Sequence, residues 1–446
     1  MIIYFERRIG MSDIKHSDIE RDASIHIYET DRFKSETLSV YFSLPIVKEE
    51  SVIRSLLLSV LKRGTEKYPS QKDINKRLDE LYATIVNVEN QKFDKVQLLG
   101  LSLDIINSDY LETDEDLLPQ ALEVVSQILF HPFIDKKTGC FSEDYVKSEK
   151  LNYKNLILSQ MNEPRSYAAL RCREETLASL GLSYKLSEMC EQIERITAKE
   201  LTDYYKKVIS SASYEVFYVG ERPLDLVKEC IKRILPSGSK PVPNICEDKP
   251  KTLEDLPTPE FIVEEKDISQ GRLVISVNCG ITWKDSQYYA MLLCNEILGG
   301  SPISKLMMNV REALSLCYEC SSAYNSARGV LFINSGIDVE NFELARSAII
   351  EQIEAIKKGN ISDAEFCAAQ KSLLNVYKAI YDSPPAIERF YLGRIVCGVD
   401  GGVEDMLEGI SALTPSDVIA AAKKLCVHTV YFLKGDSDGE VFCDEE

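Results

Sequence analysis

Apolar and polar positions follow the same order twice along the chain. Ser39-Val40-Tyr41-Phe42-Ser43-Leu44 and Arg272-Leu273-Val274-Ile275-Ser276-Val277 are rich in β-branched and aromatic residues between charges and turn residues, and predict strands. A helical stretch leads from the first of them to Gly64, after which Ile74, Leu78 and Leu81 recur at helical spacing. Val96, Leu98 and Gly100 then predict a further strand. Longer helices follow: Leu344 to Lys358 has apolar residues three and four apart, and Ser362-Asp363-Ala364-Glu365 is a capping box for the next helix. This is the pattern of an α+β unit, used twice.

The repeat is visible in individual residues. Gly64, Tyr82 and Gly100 lie 18 apart, and Gly300, Tyr318 and Gly336 reproduce both intervals at an offset of 236 residues. Phe141-Ser142-Glu143 through Pro164 parallels Ile361-Ser362-Asp363 through Pro384 at an offset of 220, so 16 extra residues are expected in the first copy, around Phe130 to Gly139. A third block closes each copy: Thr197-Ala198-Lys199-Glu200 before Val216-Phe217-Tyr218-Val219-Gly220, and Thr414-Pro415-Ser416-Asp417 before Val430-Tyr431-Phe432-Leu433. Each reads as a capped helix followed by a strand. Three blocks in one order predict two homologous domains. Between them Pro236, Pro241, Pro243, Pro250, Pro257 and Pro259 crowd a stretch whose missing donors and fixed dihedrals suit an extended linker. The expected division is 1–235, a linker 236–260, and 261–446.

Composition narrows the function. A chain of 446 residues exceeds what one core usually supports. The net charge of -19 repels a phosphate backbone, so no nucleic-acid partner is expected. The start Met1-Ile2-Ile3-Tyr4-Phe5-Glu6-Arg7-Arg8 lacks the apolar core of a secretory signal, and charges interrupt every apolar run before it could span a bilayer, so no membrane is expected. Thirteen cysteines, an odd number scattered from Cys140 to Cys443, suit the cytoplasm better than a disulfide framework. Cys317 and Cys320 form one C-x-x-C, read as two semi-buried small residues because no second pair completes a zinc ribbon.

The order strand, helix, glycine, tyrosine-bearing turn and strand resembles the pitrilysin/insulinase-type zinc peptidases, mitochondrial processing peptidase included, over nearly the whole chain. The closest stretch is Leu298-Gly299-Gly300-Ser301-Pro302-Ile303-Ser304-Lys305-Leu306-Met307-Met308-Asn309-Val310-Arg311-Glu312 with Tyr318, similar to the family's second-domain signature. The resemblance implies two homologous α+β domains, each a mainly antiparallel sheet with helices packed on it, arranged as half a clamshell. It also implies that Arg311 and Tyr318 reach bound peptide. Active members carry His-x-x-Glu-His just before a Lys-Gly-Thr-like turn. Here that turn is Lys62-Arg63-Gly64-Thr65, and counting back puts Ser55 and Ser59 at the histidine positions and Leu58 at the glutamate. Hydroxyls and a leucine neither bind zinc nor act as a base at neutral pH. On the later helix Glu149 fits the helper acid, and Leu156 falls where the third ligand should be. The four histidines, His16, His26, His131 and His428, offer no short-spaced pair on one helix face. No metal is expected in this chain. By resemblance to paired bacterial members, zinc is expected in a sister subunit of a heterodimer acting on peptide substrate; the alternative is a non-proteolytic, peptide-binding or structural homodimer.

Overall fold

A computed structural model describes residues 13–19, 23–93, 95–178, 180, 185–236, 253 and 258–435; the segment 236–260 lies mostly outside the described residues. The strands are, in chain order, β1 (Lys15–Ile19), β2 (Ala23–Glu29), β3 (Ser35–Pro45), β4 (Ile85–Phe93), β5 (Val96–Ile106), β6 (Ile134–Asp135), β7 (Cys140–Phe141), β8 (Ser213–Gly220), β9 (Glu260–Lys266), β10 (Gly271–Asn278), β11 (Glu319–Asn325), β12 (Val330–Ile337) and β13 (Cys426–Gly435). They build a six-stranded sheet in the order β1-β2-β8-β3-β5-β4 and a five-stranded sheet in the order β11-β12-β10-β13-β9. Read from the opposite end, the second order repeats the first from β2 to β4. In both sheets one pair is parallel, β2 with β8 and β9 with β13, while the other pairs are antiparallel. Two copies of one α+β topology are thus present, and the small hairpin β6–β7 occupies the place where the first copy carries extra residues.

The strand β3 shows how sequence sets the layers. Leu38, Val40, Phe42 and Leu44 alternate along it and enter one large core with Leu56 and Leu57 of the helix Ser51–Leu61, Val124 and Ile128 of Leu117–Phe130, and Leu201 of Ala198–Ser211. Removing such side chains from water, at roughly 25 cal/mol per Å² of apolar area, is what holds helices to sheet. Ser39 and Tyr41 point to the other face, and they are buried as well.

Their cover comes from far along the chain. One compact unit comprises Met1–Leu156, Leu186–Asp248 and Ile380–Gly402; the other comprises Ile157–Lys185, Lys249–Ala379 and Val403–Glu446. The two repeats therefore exchange equivalent helices, those that begin at the matched prolines. Pro164–Ala178 places Ala168 and Cys172 against Val274, Phe332 and Tyr431 of the second sheet, and its Thr176 Oγ1 donates to Ser276 Oγ at 2.9 Å. Pro384–Cys397 belongs to the first sheet's unit: Glu388 accepts hydrogen bonds from Ser39 Oγ at 2.8 Å and Tyr41 Oη at 2.5 Å, and Tyr391 Oη donates to Asp13 Oδ2 at 2.7 Å. Gly393 lets this helix lie close to the sheet, since a Cβ there would meet the Phe93 ring at 2.8 Å. Among the described residues no helix is long and apolar enough to cross a membrane.

Candidate functional site

The helix Ser51–Leu61 carries the positions where a zinc peptidase would hold its metal. Ser55 and Ser59 are half-buried on one face, four residues apart. Each hydroxyl turns back on its own helix, Ser55 Oγ to Ser51 O at 3.1 Å and Ser59 Oγ to Ser55 O at 3.3 Å, as serines inside helices commonly do. Asn90 Nδ2 on β4 donates to Ser55 Oγ at 3.1 Å, Gln97 Nε2 donates to Asn90 Oδ1 at 2.8 Å, and Arg54 Nη1 donates to Gln97 Oε1 at 2.8 Å. Tyr153 also hydrogen-bonds Ser55, while burial pushes its phenol up. The face is thus tied together by neutral groups that end on one buried guanidinium.

Arg54 is 1% exposed and fully engaged. Besides Gln97 it donates to Tyr204 Oη at 2.8 Å, Pro45 O at 2.8 Å and Glu50 Oε2 at 2.6 Å. Burial opposes the Glu50 charge, but hydrogen bonds from Lys207, Tyr204 and Arg54 outweigh it and bring the carboxyl down to about 2. A buried, paired and hydrogen-bonded ion pair fixes geometry more than it adds stability. Here it fixes the start of the helix. Its only signal in the sequence is a lone arginine inside the apolar run Val52-Ile53-Arg54-Ser55-Leu56, which composition alone does not mark as buried.

Leu58, at the position of the general base, is 1% exposed and part of the main core. Glu149 lies on the long helix Glu143–Asn162, where Arg63 Nε donates to its carboxylate and Arg63 Nη2 donates to Ser148 Oγ at 2.7 Å. The turn that carries Arg63 needs its glycine, because a Cβ at Gly64 would stand 2.3 Å from Pro69 O. Leu156 is 53% exposed and offers only hydrocarbon. The residues at these positions do not fit a zinc ion: two hydroxyls spent on the helix backbone, a core leucine, an exposed leucine, and an acid paired to arginine. Among the described residues no cluster of three or more His, Cys, Asp or Glu side chains could hold a metal. His16 Nδ1 and His26 Nδ1 lie 3.0 Å apart, His26 Nε2 is 2.8 Å from Glu215 Oε2, and His428 Nδ1 is 2.8 Å from Thr429 Oγ1. His131 caps the C-terminus of Leu117–Phe130.

Arg311 and Tyr318 belong to the other unit, at the entry to the edge strand β11. The chain enters through two wide, π-helical segments, Glu296–Gly300 and Leu306–Ala313, neither of which the apolar pattern predicts. Such π segments are rare and often mark functional sites. Gly299 permits the first to press on the sheet, since a Cβ there would meet Ser322 N at 2.6 Å. After the second, Ser315 takes a left-handed conformation, φ 49°, and the chain turns back so that Arg311 Nε donates to Tyr318 O at 2.8 Å. Arg311 Nη1 donates to Glu312 Oε1 at 2.5 Å. The Tyr318 side chain is 62% exposed and its hydroxyl donates to Asp338 Oδ1 at 3.3 Å. The two residues are brought together, and both are open to solvent. Tyr82 holds the matching place before β4 and is also exposed, but unlike Tyr318 it sits at positive φ, 57°, and Asn75 stands where the second copy has Arg311.

Comparison with known proteins agrees with this geometry. Residues 195–373 match the family described as peptidase M16 inactive domain. Over 410 residues the chain is 30% identical to the "Probable inactive metalloprotease YmfF" of Bacillus subtilis (strain 168), covering 92% of this chain and 95% of that protein. It is 21% identical over 312 residues to the "Uncharacterized zinc protease YmxG" of the same organism, covering 68% of this chain and 72% of that one. A solved structure of a conserved protein from Enterococcus faecalis V583 superposes with a TM-score of 0.86 at 25% identity, over 96% of this chain and 100% of that one. The structure of a peptidase M16 inactive domain from Pseudomonas fluorescens gives a TM-score of 0.74 at 17% identity, over 95% and 98% of the two chains, a likeness of fold. With serine, leucine and serine where the metal motif would stand, and with a relative of that kind matched nearly end to end, the chain belongs to the peptidase M16 family, the pitrilysin/insulinase type, as an inactive member.

Proposed function

We propose that this chain is the non-catalytic subunit of a zinc peptidase of the same family, binding peptide and lending Arg311 and Tyr318 to a zinc-bearing partner chain. The observation that carries this reading is the contrast between the two sites. One is closed with leucine, backbone-bonded serines and an Arg63–Glu149 pair, while the other keeps a guanidinium partly exposed and a phenol exposed. A guanidinium donates in a fixed fork to peptide carbonyls, and a phenol adds a further donor. In the heterodimer the partner's zinc supplies the activated water, and the groups of this chain hold the peptide and stabilise the carbonyl oxygen as it gains charge. All 11 cysteines among the described residues are free thiols, which supports a cytoplasmic home for the complex.

The test is reconstitution. The purified chain alone should carry no stoichiometric zinc and cleave no peptide; mixed with a zinc-bearing family member from the same cell, it should form a stable complex in which cleavage appears and metal follows the partner. One tightly held zinc per copy of this chain, or a partner fully active by itself, would overturn the proposal. A homodimer that binds peptide and leaves it intact would establish the non-proteolytic alternative instead.

A further inference from the structure

Cys317 and Cys320 flank the bend at Tyr318 and their thiols hydrogen-bond each other, which the sequence spacing alone does not require. In a regular strand, residues three apart stand about 10 Å from one another, beyond the ~7 Å that a disulfide can bridge. Here the chain bends at Tyr318. Tyr318 N donates to Gly336 O at 2.9 Å, and Glu319 also faces Gly336, so two residues of this strand oppose one of β12. That bulge-like irregularity lets the two thiols form a hydrogen-bonded pair, with the Ser335 hydroxyl beside both. β11 is the last strand of its sheet, so this segment can shift without breaking a ladder on its outer side.

We propose that Cys317 and Cys320 form a redox-active dithiol that a small hydroperoxide converts to a disulfide, with Cys317 as the attacking thiolate and Cys320 as the resolving thiol. The two thiols are made unequal by their surroundings. The hydrogen bond from Cys320 lowers Cys317 first; burial opposes it, the Ser335 hydroxyl and the Arg311 guanidinium assist, and the Glu319 charge works against it. Cys320 is pushed up by the same hydrogen bond and by burial. The other deeply buried thiols behave differently: burial drives Cys172, Cys279 and Cys294 up to about 12, which leaves them inert. Cys317 is 9% exposed beside an open tyrosine, enough for a small oxidant and too little for a bulky disulfide.

The step balances without any other reagent. The Cys317 thiolate attacks one peroxide oxygen, the sulfur–oxygen bond forms as the oxygen–oxygen bond breaks, and the departing hydroxide takes a proton to leave as water. Cys320 then gives up its proton and attacks the sulfenic sulfur; the sulfur–sulfur bond forms, the sulfur–oxygen bond breaks, and a second water leaves. Two thiols lose two electrons and one peroxide is reduced to two waters. This chemistry stands apart from any peptidase role.

The experiment exposes the reduced full chain to hydrogen peroxide, removes the peroxide, unfolds the chain in denaturant so that every remaining thiol is capped with a maleimide, and maps the digest by mass spectrometry without reduction. The expected product is a peptide with a 317–320 disulfide, formed before exposed Cys367 is oxidised. Cys320→Ser should stop at a sulfenic acid on Cys317 that dimedone captures, and Cys317→Ser should leave Cys320 reduced. Alkylation of Cys317 in the reduced wild type should be half-maximal well below the ~8.5 of a free thiol. If peroxide that oxidises Cys367 leaves both Cys317 and Cys320 open to the maleimide, the proposal fails.

Discussion

Replacing Arg311 with alanine should lower peptide turnover by the assembled heterodimer about 10²- to 10³-fold, equivalent to roughly 3 to 4 kcal/mol, the usual effect of losing one donor aimed at a developing oxyanion. Tyr318→Phe should act in the same direction. If these groups work on charge that appears only in the transition state, kcat falls while KM and complex formation change little. The structure makes this a clean experiment. Arg311 contacts Tyr318 O, Glu312 and, at 3.9 Å, Met307 Sδ, its side chain is 40% exposed and Tyr318 is 62% exposed, so neither variant removes a buried side chain. Peptide cleavage by partner mixed with wild-type or variant chain, read beside gel filtration of the complex, decides the matter. Undiminished turnover by both variants in intact complexes would leave this chain a scaffold. An equal loss of binding and turnover would make the pair a substrate clamp without a role in the chemical step.

The duplication was legible because the glycines that mark it answer to a physical need. A Cβ at Gly100 would stand 1.9 Å from Val40 O on the paired strand, and one at Gly64 would stand 2.3 Å from Pro69 O, both backbone atoms that cannot move aside. The capping boxes at Thr197, Ser362 and Thr414 were legible for the same reason, as short-range hydrogen bonds between neighbours in sequence. The fate of the helices after Pro164 and Pro384 was not. Each packs on the sheet of the other repeat, and no local pattern tells an apolar helix face which of two similar sheets will cover it. The metal positions could be counted back from Gly64, but what replaced the metal could not. Arg63 sits far from Glu149 in sequence, and its pairing depends on how two helices cross.

The helix exchange also buries a carboxylic acid, and that should show as a pH-dependent stability. Glu388 is 4% exposed, and in the equivalent helix of the first repeat the matching residue, 220 positions earlier, is Ala168. Burial raises the Glu388 carboxyl to about 7; the hydrogen bonds from Tyr41 and Ser39 favour ionisation but do not overcome it, and the nearby Glu89 charge adds to the rise. A folded-state value above the unfolded one means that the fold prefers the proton. Its contribution is complete below about pH 4.5 and is lost as pH rises through 7, at about 1.4 kcal/mol for each unit of displacement, or roughly 3 kcal/mol in all. Glu388→Gln keeps an acceptor for Tyr41 and has no proton to lose. Urea unfolding at pH 5 and pH 8 should therefore show the variant equal to or slightly below wild type at the lower pH and about 2 to 3 kcal/mol above it at the higher. A difference between the two proteins that does not move with pH would mean that the buried carboxyl stays ionised in the fold, held by Tyr41 and Ser39 against its burial.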